Sequence, residues 1–390
     1  MTDSAGEAAQ FLTRNAVDAL PQGELERQLA KGRPLQVKLG VDPTTPDIHL
    51  GHTVVLRKLR EFQDLGHQIV LIVGDYTARV GDPSGRSTIR PQADPAEIDA
   101  NARTYEEQAF KVLDRDATEV RHNGEWLDMP MEDLFRLART ATVAQLLERD
   151  VFAQRYAARE PISILELLYP LMQGYDSVAI RSDVELGATD QKFNVLLARE
   201  VQRAYGVEPQ SILTMPILPG IDGTQKMSKS LGNYVGVTDP PEEMYGKLMR
   251  VPDDAMPIYY ELLLEEPLDQ AIPPRDAKRA MARQLTAIYH GEEGAAAADE
   301  RFDALHVRHE LPEEIEDFDF AANGDAVHLP ALLAEAFGVS RSEARRLLGQ
   351  AGVKLDGEAL GVEVLDLPAE RLDGAVIQLG KRRLKRLRRR

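Results

Sequence analysis

Residues 35–41 (LQVKLGV) alternate apolar and polar positions, the pattern of a half-buried strand. Residues 69–73 (IVLIV) form a short continuous apolar run that stops at Gly74, the pattern of a parallel strand covered on both faces. Between the two, Val55, Leu59 and Phe62 recur at helical spacing on a segment that ends near Gly66. Strand, helix and strand in that order predict one βαβ unit of an open α/β sheet. Further on, 95–115 and 130–150 carry helical periodicity with many charges, and Ile162–Gln173 (ISILELLYPLMQ) reads as a buried helix. Val184–Gly187 and Ile212–Leu218 read as further strands.

The pattern then changes. Prolines 240, 241, 252, 257, 267, 273 and 274 punctuate a stretch of helical periodicity, which predicts a small helical domain over about 235–320. Residues 310–319 (ELPEEIEDFD) hold six acids in ten and read as a linker. A new compact unit is expected from about Val327. In it, Ser340 has the chemistry of an N-cap, and Glu343 three residues on predicts a capping box. Ala344, Leu347 and Leu348 give the helix its apolar stripe and leave Arg341, Arg345 and Arg346 on the exposed side. Val353–Leu355 and Val376–Leu379 read as short strands.

Composition narrows the possibilities. The chain has 390 residues, enough for two or three domains. It has no cysteine, which excludes disulfides, thiolate nucleophiles and cysteine-held zinc, and favours a reducing compartment. Met1–Ala9 is polar and acidic rather than signal-like, and no apolar run is long enough for a membrane span. A cytoplasmic location is expected. The net charge is −17, yet eight of the last ten residues (KRRLKRLRRR) are basic, so the first 380 carry −25. A polyanion would have to be met at local basic patches rather than by bulk charge.

Two segments carry candidate chemistry. The first strand runs into Asp42-Pro43-Thr44-Thr45-Pro46-Asp47-Ile48-His49-Leu50-Gly51-His52, where the helix begins. Ligands of open α/β sheets bind at such strand ends, beside helix N-termini. His49 and His52, three apart, share a helical face and offer N–H donors to phosphate oxygens. Gly51 lets a flat ring approach the backbone, and Thr44 adds a hydroxyl. The second segment is Lys226-Met227-Ser228-Lys229-Ser230, which follows Pro219-Gly220-Ile221-Asp222-Gly223. Two lysines three apart in a Ser-rich loop suit charge that develops during nucleotidyl transfer. Either segment alone is an ordinary polar turn; the pair is specific.

Together they resemble the "HIGH" and "KMSKS" signatures of the class I aminoacyl-tRNA synthetases, with Leu50 where the first signature has Ile. The family's reaction has two steps. An amino-acid carboxylate attacks the α-phosphate of ATP, and the adenylate then acylates a ribose hydroxyl at the end of a tRNA. The resemblance implies that Thr44, His49 and His52 stabilise the reacting phosphate, and that Lys226 and Lys229 grip the pyrophosphate. Gly51, Met227, Ser228 and Ser230 would adjoin ATP. Magnesium is expected on the phosphates, with no metal cage made by the protein.

Three more segments are similar to the tyrosyl branch of that family: GDPSG (81–85), YPLMQGYD (169–176) and ELGATDQKFN (185–194). Tyr169, Gln173 and Asp176 fall on one helical face. The resemblance implies that Asp176 reads the substrate phenol, that Asp82, Tyr169 and Gln173 hold its ammonium, and that Gln191 lies by its carboxylate or the ribose. Asp190 would contact the ATP ribose, and Arg86 and Arg90 match a basic loop that contacts pyrophosphate. Many members carry a tyrosine on the first strand that donates to the phenol; Lys38 stands there in this chain and is counted by position among the tyrosine-binding candidates. The tryptophanyl branch shares both signatures, but an indole offers only its ring N–H to Asp176. A non-catalytic RNA-binding regulator of synthetase descent is also conceivable, against which stand the intact histidine turn and lysine loop.

Residues 327–390 resemble the small RNA-binding domain known as "S-four". That resemblance implies tRNA contacts by Arg341, Arg345, Arg346, Lys381, Arg382 and Arg383. The expected class is therefore α/β. A Rossmann-like catalytic domain would span 1–222, with a dimerisation insertion at about 115–165. A loop and helical domain over 223–320 and an α+β RNA-binding domain over 327–390 would follow. The expected partners are L-tyrosine, ATP, tRNA(Tyr) and a second copy of the chain.

Overall fold

The computed structural model describes residues 2–43, 47–83, 95–308, 315–322, 325–361, 364–380 and 383–390. Two compact units emerge, Met1–Phe302 and Asp303–Arg390. The first is built on a six-stranded sheet of β1 (Asp18–Leu20), β2 (Gln36–Val41), β3 (Gln68–Val73), β4 (Thr118–His122), β5 (Val184–Ala188) and β6 (Ser211–Met215), in the order β1-β6-β5-β2-β3-β4. All pairs are parallel except β1 with β6. Val37 faces Ile69 and Leu39 faces Leu71 across the β2–β3 pair. The chain moves outward from β2 on both sides, so a topological switch point lies between β2 and β5.

Helix α1 (Leu50–Asp64) connects β2 to β3 as the periodicity predicts. It buries Leu50, Val54, Val55, Leu56, Leu59 and Phe62 against the sheet. Helix α2 (Ile164–Ala179) packs on α3 (Lys192–Ala204). The approach is close at Gly174, where a Cβ would lie 2.9 Å from Val201 Cγ2 and 3.2 Å from Ala198 Cα. That approach fixes the α2 face that carries Tyr169, Gln173 and Asp176.

Two expectations are corrected. The segment 130–150 is not one helix: Met131–Ala138, Val143–Leu146 and Asp150–Ala157 are separate, and the second is started by a Thr142–Gln145 capping box. The prolines around 235–300 do delimit helices, including Pro241–Leu248 and the long α4 (Pro274–His306), kinked at Gly291. Yet Met244, Tyr245, Leu248, Tyr259, Met281 and Leu285 belong to the same apolar cluster as β2 and α1. This helical segment shares its core with the nucleotide fold.

The second unit is α+β. Helices α5 (Leu329–Phe337) and α6 (Arg341–Gly349) accompany a five-stranded sheet around a separate core of Phe320, Leu333, Leu348, Ile377 and Leu387. The stretch read as an acidic linker ends in a strand of this sheet: Asp317–Phe320 pairs in parallel with the basic Arg383–Arg389. The pairing sets Asp317 and Asp319 against Arg388 and Arg390, and Lys385 meets Glu316 at 2.5 Å. Ser340 caps α6, accepting from the Glu343 N–H at 3.1 Å. Contrary to the expected capping box, the Glu343 carboxylate turns to Arg346, at 2.6 and 2.9 Å.

Candidate active site

The carboxyl ends of β2, β3, β5 and β6 open into a cavity of about 380 Å³. Asp42 follows β2, Gly74 and Thr77 follow β3, Asn123 follows β4, Asp190 and Gln191 follow β5, and Pro216–Leu218 follow β6. The cavity has two chemically distinct ends.

One end is made by the N-terminus of α1 and the lysine loop. His49 is the N-cap in an extended conformation, and its ring stacks on that of His52 with centroids 3.9 Å apart. The His49 backbone N–H donates to His52 Nδ1 at 3.2 Å, which leaves the His52 proton on Nε2. Burial, reinforced by the His52 ring and by Lys229 and Lys226, lowers His49 to about 2. Burial, then Lys226 and Lys229, lower His52 to about 4. Both are therefore neutral N–H donors at pH 7. A Cβ on Gly51 would lie 3.0 Å from the His49 ring, so a side chain there would push the ring aside by a few tenths of an ångström.

Met227 is buried and anchors the lysine loop. Asn233 braces it, accepting from the Ser228 N–H at 2.8 Å and donating to the Lys226 carbonyl at 3.1 Å. Ser228 and Ser230 hydroxyls lie 2.9 Å apart. Lys226 pairs with Asp190, and Lys229 pairs with Asp47 at 2.6 Å. The Lys226 pair is solvent-facing and holds little energy, so that ammonium can be exchanged onto a polyanion, while the Lys229 pair is partly buried.

The other end is lined by carboxylates. Asp176, on α2, is buried and accepts from Trp126 Nε1 at 2.8 Å and from Asn123 Nδ2 at 3.5 Å. Burial pushes its carboxyl up to about 7, against the pull of Lys38, Trp126 and Asn123. The Tyr169 hydroxyl donates to Asp42 Oδ2 at 2.9 Å, and Thr77 holds the other oxygen at 2.7 Å. The clearance there is small: a Cβ on Gly74 would fall 2.2 Å from Asp42 Oδ1. Asp82 accepts from Gln191 Nε2 at 2.6 Å and from Arg149 at 3.0 Å. Asn194 donates to Gln173 Oε1 at 2.8 Å and to Gln191 Oε1 at 3.0 Å.

The structure thus gathers His49, Gly51, His52, Asp82, Tyr169, Gln173, Asp176, Asp190, Gln191, Lys226, Met227, Ser228, Lys229 and Ser230 around one cavity. Lys38 is placed differently. Its ammonium is wholly buried, pairs with Glu185 at 2.9 Å and donates to Ser177 Oγ at 2.8 Å and the Gln173 carbonyl at 3.0 Å. Thr44, Arg86, Arg90, Lys381 and Arg382 lie outside the described residues. Arg341, Arg345 and Arg346 are on α6 and all three are exposed, Arg346 paired with Glu343. Arg383 donates to the Phe337 carbonyl at 3.5 Å. Sequence reasoning missed Asp42, Asn123, Trp126, Arg149, Glu185 and Asn194. Glu185 did carry a signal, an acid inside a buried strand, and Trp126 is the chain's single tryptophan.

A doubly wound sheet with histidines at a helix N-terminus and a lysine loop at its switch point makes a site suited to a nucleotide, with a carboxylate-lined pocket beside it for a small molecule that carries an ammonium. The sequence profile of the tRNA synthetases class I (W and Y) matches residues 30–307, and the chain belongs to that family. It is 50% identical to the tyrosine–tRNA ligase of Moorella thermoacetica, over 97% of this chain and 95% of that protein. It is 49% identical to that of Thermotoga maritima, over 98% and 97%. The fold is shared with a C-terminally truncated mitochondrial tyrosyl-tRNA synthetase of Aspergillus nidulans, with a TM-score of 0.63 at 22% identity over 78% of this chain and all of that one.

Proposed function

We infer that this chain activates L-tyrosine with ATP to tyrosyl-adenylate and transfers the tyrosyl group to tRNA(Tyr). The observation that carries the choice of amino acid is Asp176, a buried carboxylate at the closed end of the cavity. It accepts a hydrogen bond from the phenol of tyrosine. Phenylalanine would leave it unpaired, a rejection for which tyrosyl-tRNA synthetases are themselves a standard illustration. Tryptophan is disfavoured because an indole brings only its ring N–H, and the Trp126 N–H already occupies one Asp176 oxygen.

With the phenol at Asp176, the substrate ammonium meets the Asp42, Asp82, Tyr169 and Gln173 acceptors. Its carboxylate then points toward the histidines. The α-phosphate of ATP is held there by the N–H groups of His49 and His52, with Thr44 beside them. Because both imidazoles are neutral, they stabilise added negative charge on the phosphate by hydrogen bonding and take no part as general acids at pH 7. Lys226 and Lys229, with Arg86 and Arg90, draw off the pyrophosphate. Asp190 and Gln191 take the ribose. The carboxylates at the phosphate end, Asp190 and Asp47, are paired with Lys226 and Lys229, and no three metal-ligating side chains gather among the described residues, so magnesium would be carried on the phosphates and neutralise their charge.

The arginines of α6 and the basic end of the chain serve the tRNA backbone. The segment 115–165 serves dimerisation: Met131, Phe135, Val143, Tyr156, Ile164 and Leu165 are exposed there, an apolar face that a second copy would cover. No helix among the described residues is long and apolar enough to cross a membrane. Translation supplies the tRNA in the cytoplasm, which we propose as the location. Charging of tRNA(Tyr) with labelled tyrosine by the purified chain tests the whole reaction. Tyrosine-dependent label on the tRNA is expected, and its absence with intact substrates would reject the reading.

A further inference from the structure

Lys38 occupies the strand position where other members carry the tyrosine that donates to the phenol, yet its ammonium is wholly buried among protein groups. Its ammonium forms an ion pair with Glu185 at 2.9 Å and donates to Ser177 Oγ and the Gln173 carbonyl, at 2.8 and 3.0 Å, and the side chain is 0% exposed. Glu185 is equally occupied. Besides Lys38 it accepts from Gln173 Nε2 at 3.2 Å, Ser177 Oγ at 3.2 Å and Gln210 Nε2. The pair therefore holds Gln173 twice, by its backbone carbonyl and by its side-chain amide.

The second of these bonds decides an orientation. An amide can present either end to a ligand. With its NH2 committed to Glu185, Gln173 keeps its oxygen for Asn194 and the cavity, where an ammonium needs an acceptor. Asp176 lies one turn further along α2, and Ser177, bonded to both members of the pair, is its neighbour.

We propose that the buried Lys38–Glu185 pair is a positioning element for tyrosine selection: it fixes the Gln173 amide with its oxygen toward the substrate ammonium and holds the Gln173–Ser177 turn of α2 that carries Asp176, touching no substrate itself. This rests on the tyrosine reading above. The electrostatics agree with the geometry. The groups facing Asp176 are Lys38 from β2, Glu185 from β5, Tyr169 on its own helix with Asp42 and Asp82 beyond it, and the uncharged donors Trp126 and Asn123. Among the charges, the Lys38 ammonium is the strongest influence favouring the Asp176 carboxylate. A pair that served packing alone would have no reason to grip both ends of Gln173.

The test uses Lys38→Met/Glu185→Gln, which removes both charges at nearly constant volume. The single Lys38→Met would strand a buried carboxylate and is expected to fold poorly. In tyrosine-dependent ATP–pyrophosphate exchange, the double variant is expected to raise KM for tyrosine about tenfold, the worth of one well-placed hydrogen bond, with KM for ATP unchanged. The acidic limb of kcat/KM for tyrosine should also move to higher pH, since Asp176 loses its supporting charge. Ser177→Ala, which keeps both charges and the packing, should shift KM for tyrosine in the same direction by a smaller factor and decides the matter in the same terms where the double variant does not fold. Unchanged KM for tyrosine and an unchanged pH limb in a folded variant would overturn the proposal. Wild-type exchange is measured alongside: its failure with tyrosine would reject the functional reading, not this one.

Discussion

Asp176→Asn tests the pocket most sharply. The carboxylate has a donor at each oxygen, Trp126 Nε1 at 2.8 Å and Asn123 Nδ2 at 3.5 Å. Asn123 cannot turn to suit a new partner: its oxygen accepts from the Tyr76 N–H at 3.0 Å and its NH2 donates to Thr77 at 3.0 Å. An asparagine that keeps Trp126 on its oxygen must therefore face Asn123 donor to donor. The substrate phenol is then deprived of a charged acceptor. Replacing a charge-assisted hydrogen bond by a poor neutral one costs about 2 kcal/mol, which corresponds to roughly 30-fold in kcat/KM for tyrosine. Phenylalanine has no hydroxyl to lose, so its kcat/KM should hold or rise, and the tyrosine preference should fall by at least the same factor. Exchange with each amino acid across about pH 6–9 measures both. In the wild type, kcat/KM for tyrosine should climb as pH rises through about 7, where Asp176 ionises, and that limb should vanish in the variant. Stability separates this from misfolding. The folded-state value lies above the unfolded value near 4, so the stability that the aspartate contributes is fully present below about pH 4 and lost as pH rises through about 7. The variant should thus be no less stable than the wild type at about pH 8. A folded variant whose kcat/KM for tyrosine lies within about threefold of wild type would refute the role of Asp176.

Lys229→Ala should slow exchange by about a hundredfold or more, with KM for tyrosine unchanged, because the ammonium acts on developing phosphate charge; a rate within a few-fold of wild type would remove it from the chemistry. His52 is held neutral in the fold, so its contribution to stability is present above about pH 6.5 and lost as pH falls toward about 4. Urea unfolding should show His52→Gln losing less stability than wild type over that interval, by at most about 3 kcal/mol. Arg341→Ala with Arg345→Ala should weaken tRNA binding across sequences and leave exchange intact. A salt titration of that binding should show the slope reduced by about one for each phosphate no longer neutralised. Removing 309–390 should abolish charging and spare exchange. A cut at Val327, where the sequence pattern alone suggests the boundary, would leave the Asp317–Phe320 strand without its Arg383–Arg389 partner.

The contrast between what could be read and what could not has physical causes. The β2–α1–β3 unit was legible in its periods of two and 3.6 in LQVKLGV and Val55–Phe62, but β2 is not the half-buried strand its alternation predicts: it lies inside the sheet and buries both faces, with Lys38 neutralised by Glu185. Strand β4 was not legible, since Thr118–His122, TEVRH, sits at the sheet edge and buries too little to show a pattern. The break of 130–150 into three helices depends on a Thr142 cap, which periodicity does not weigh. At the site, residues within one short segment were found, such as Tyr169, Gln173 and Asp176 on one helical face. Trp126 and Asn123 were missed because their meaning comes from a partner, Asp176, 50 and 53 residues away in sequence. Lys38 shows the same limit from the other side: its position on the strand was read correctly, while its direction was settled by Glu185 and Ser177.

The most direct test is amino-acid-dependent ATP–pyrophosphate exchange by the purified chain, run with each of the twenty amino acids in turn. The site described above predicts exchange with tyrosine, with phenylalanine and tryptophan near background. Exchange driven by tryptophan and not tyrosine would contradict the assignment of Asp176, and no exchange with any amino acid would contradict catalysis itself.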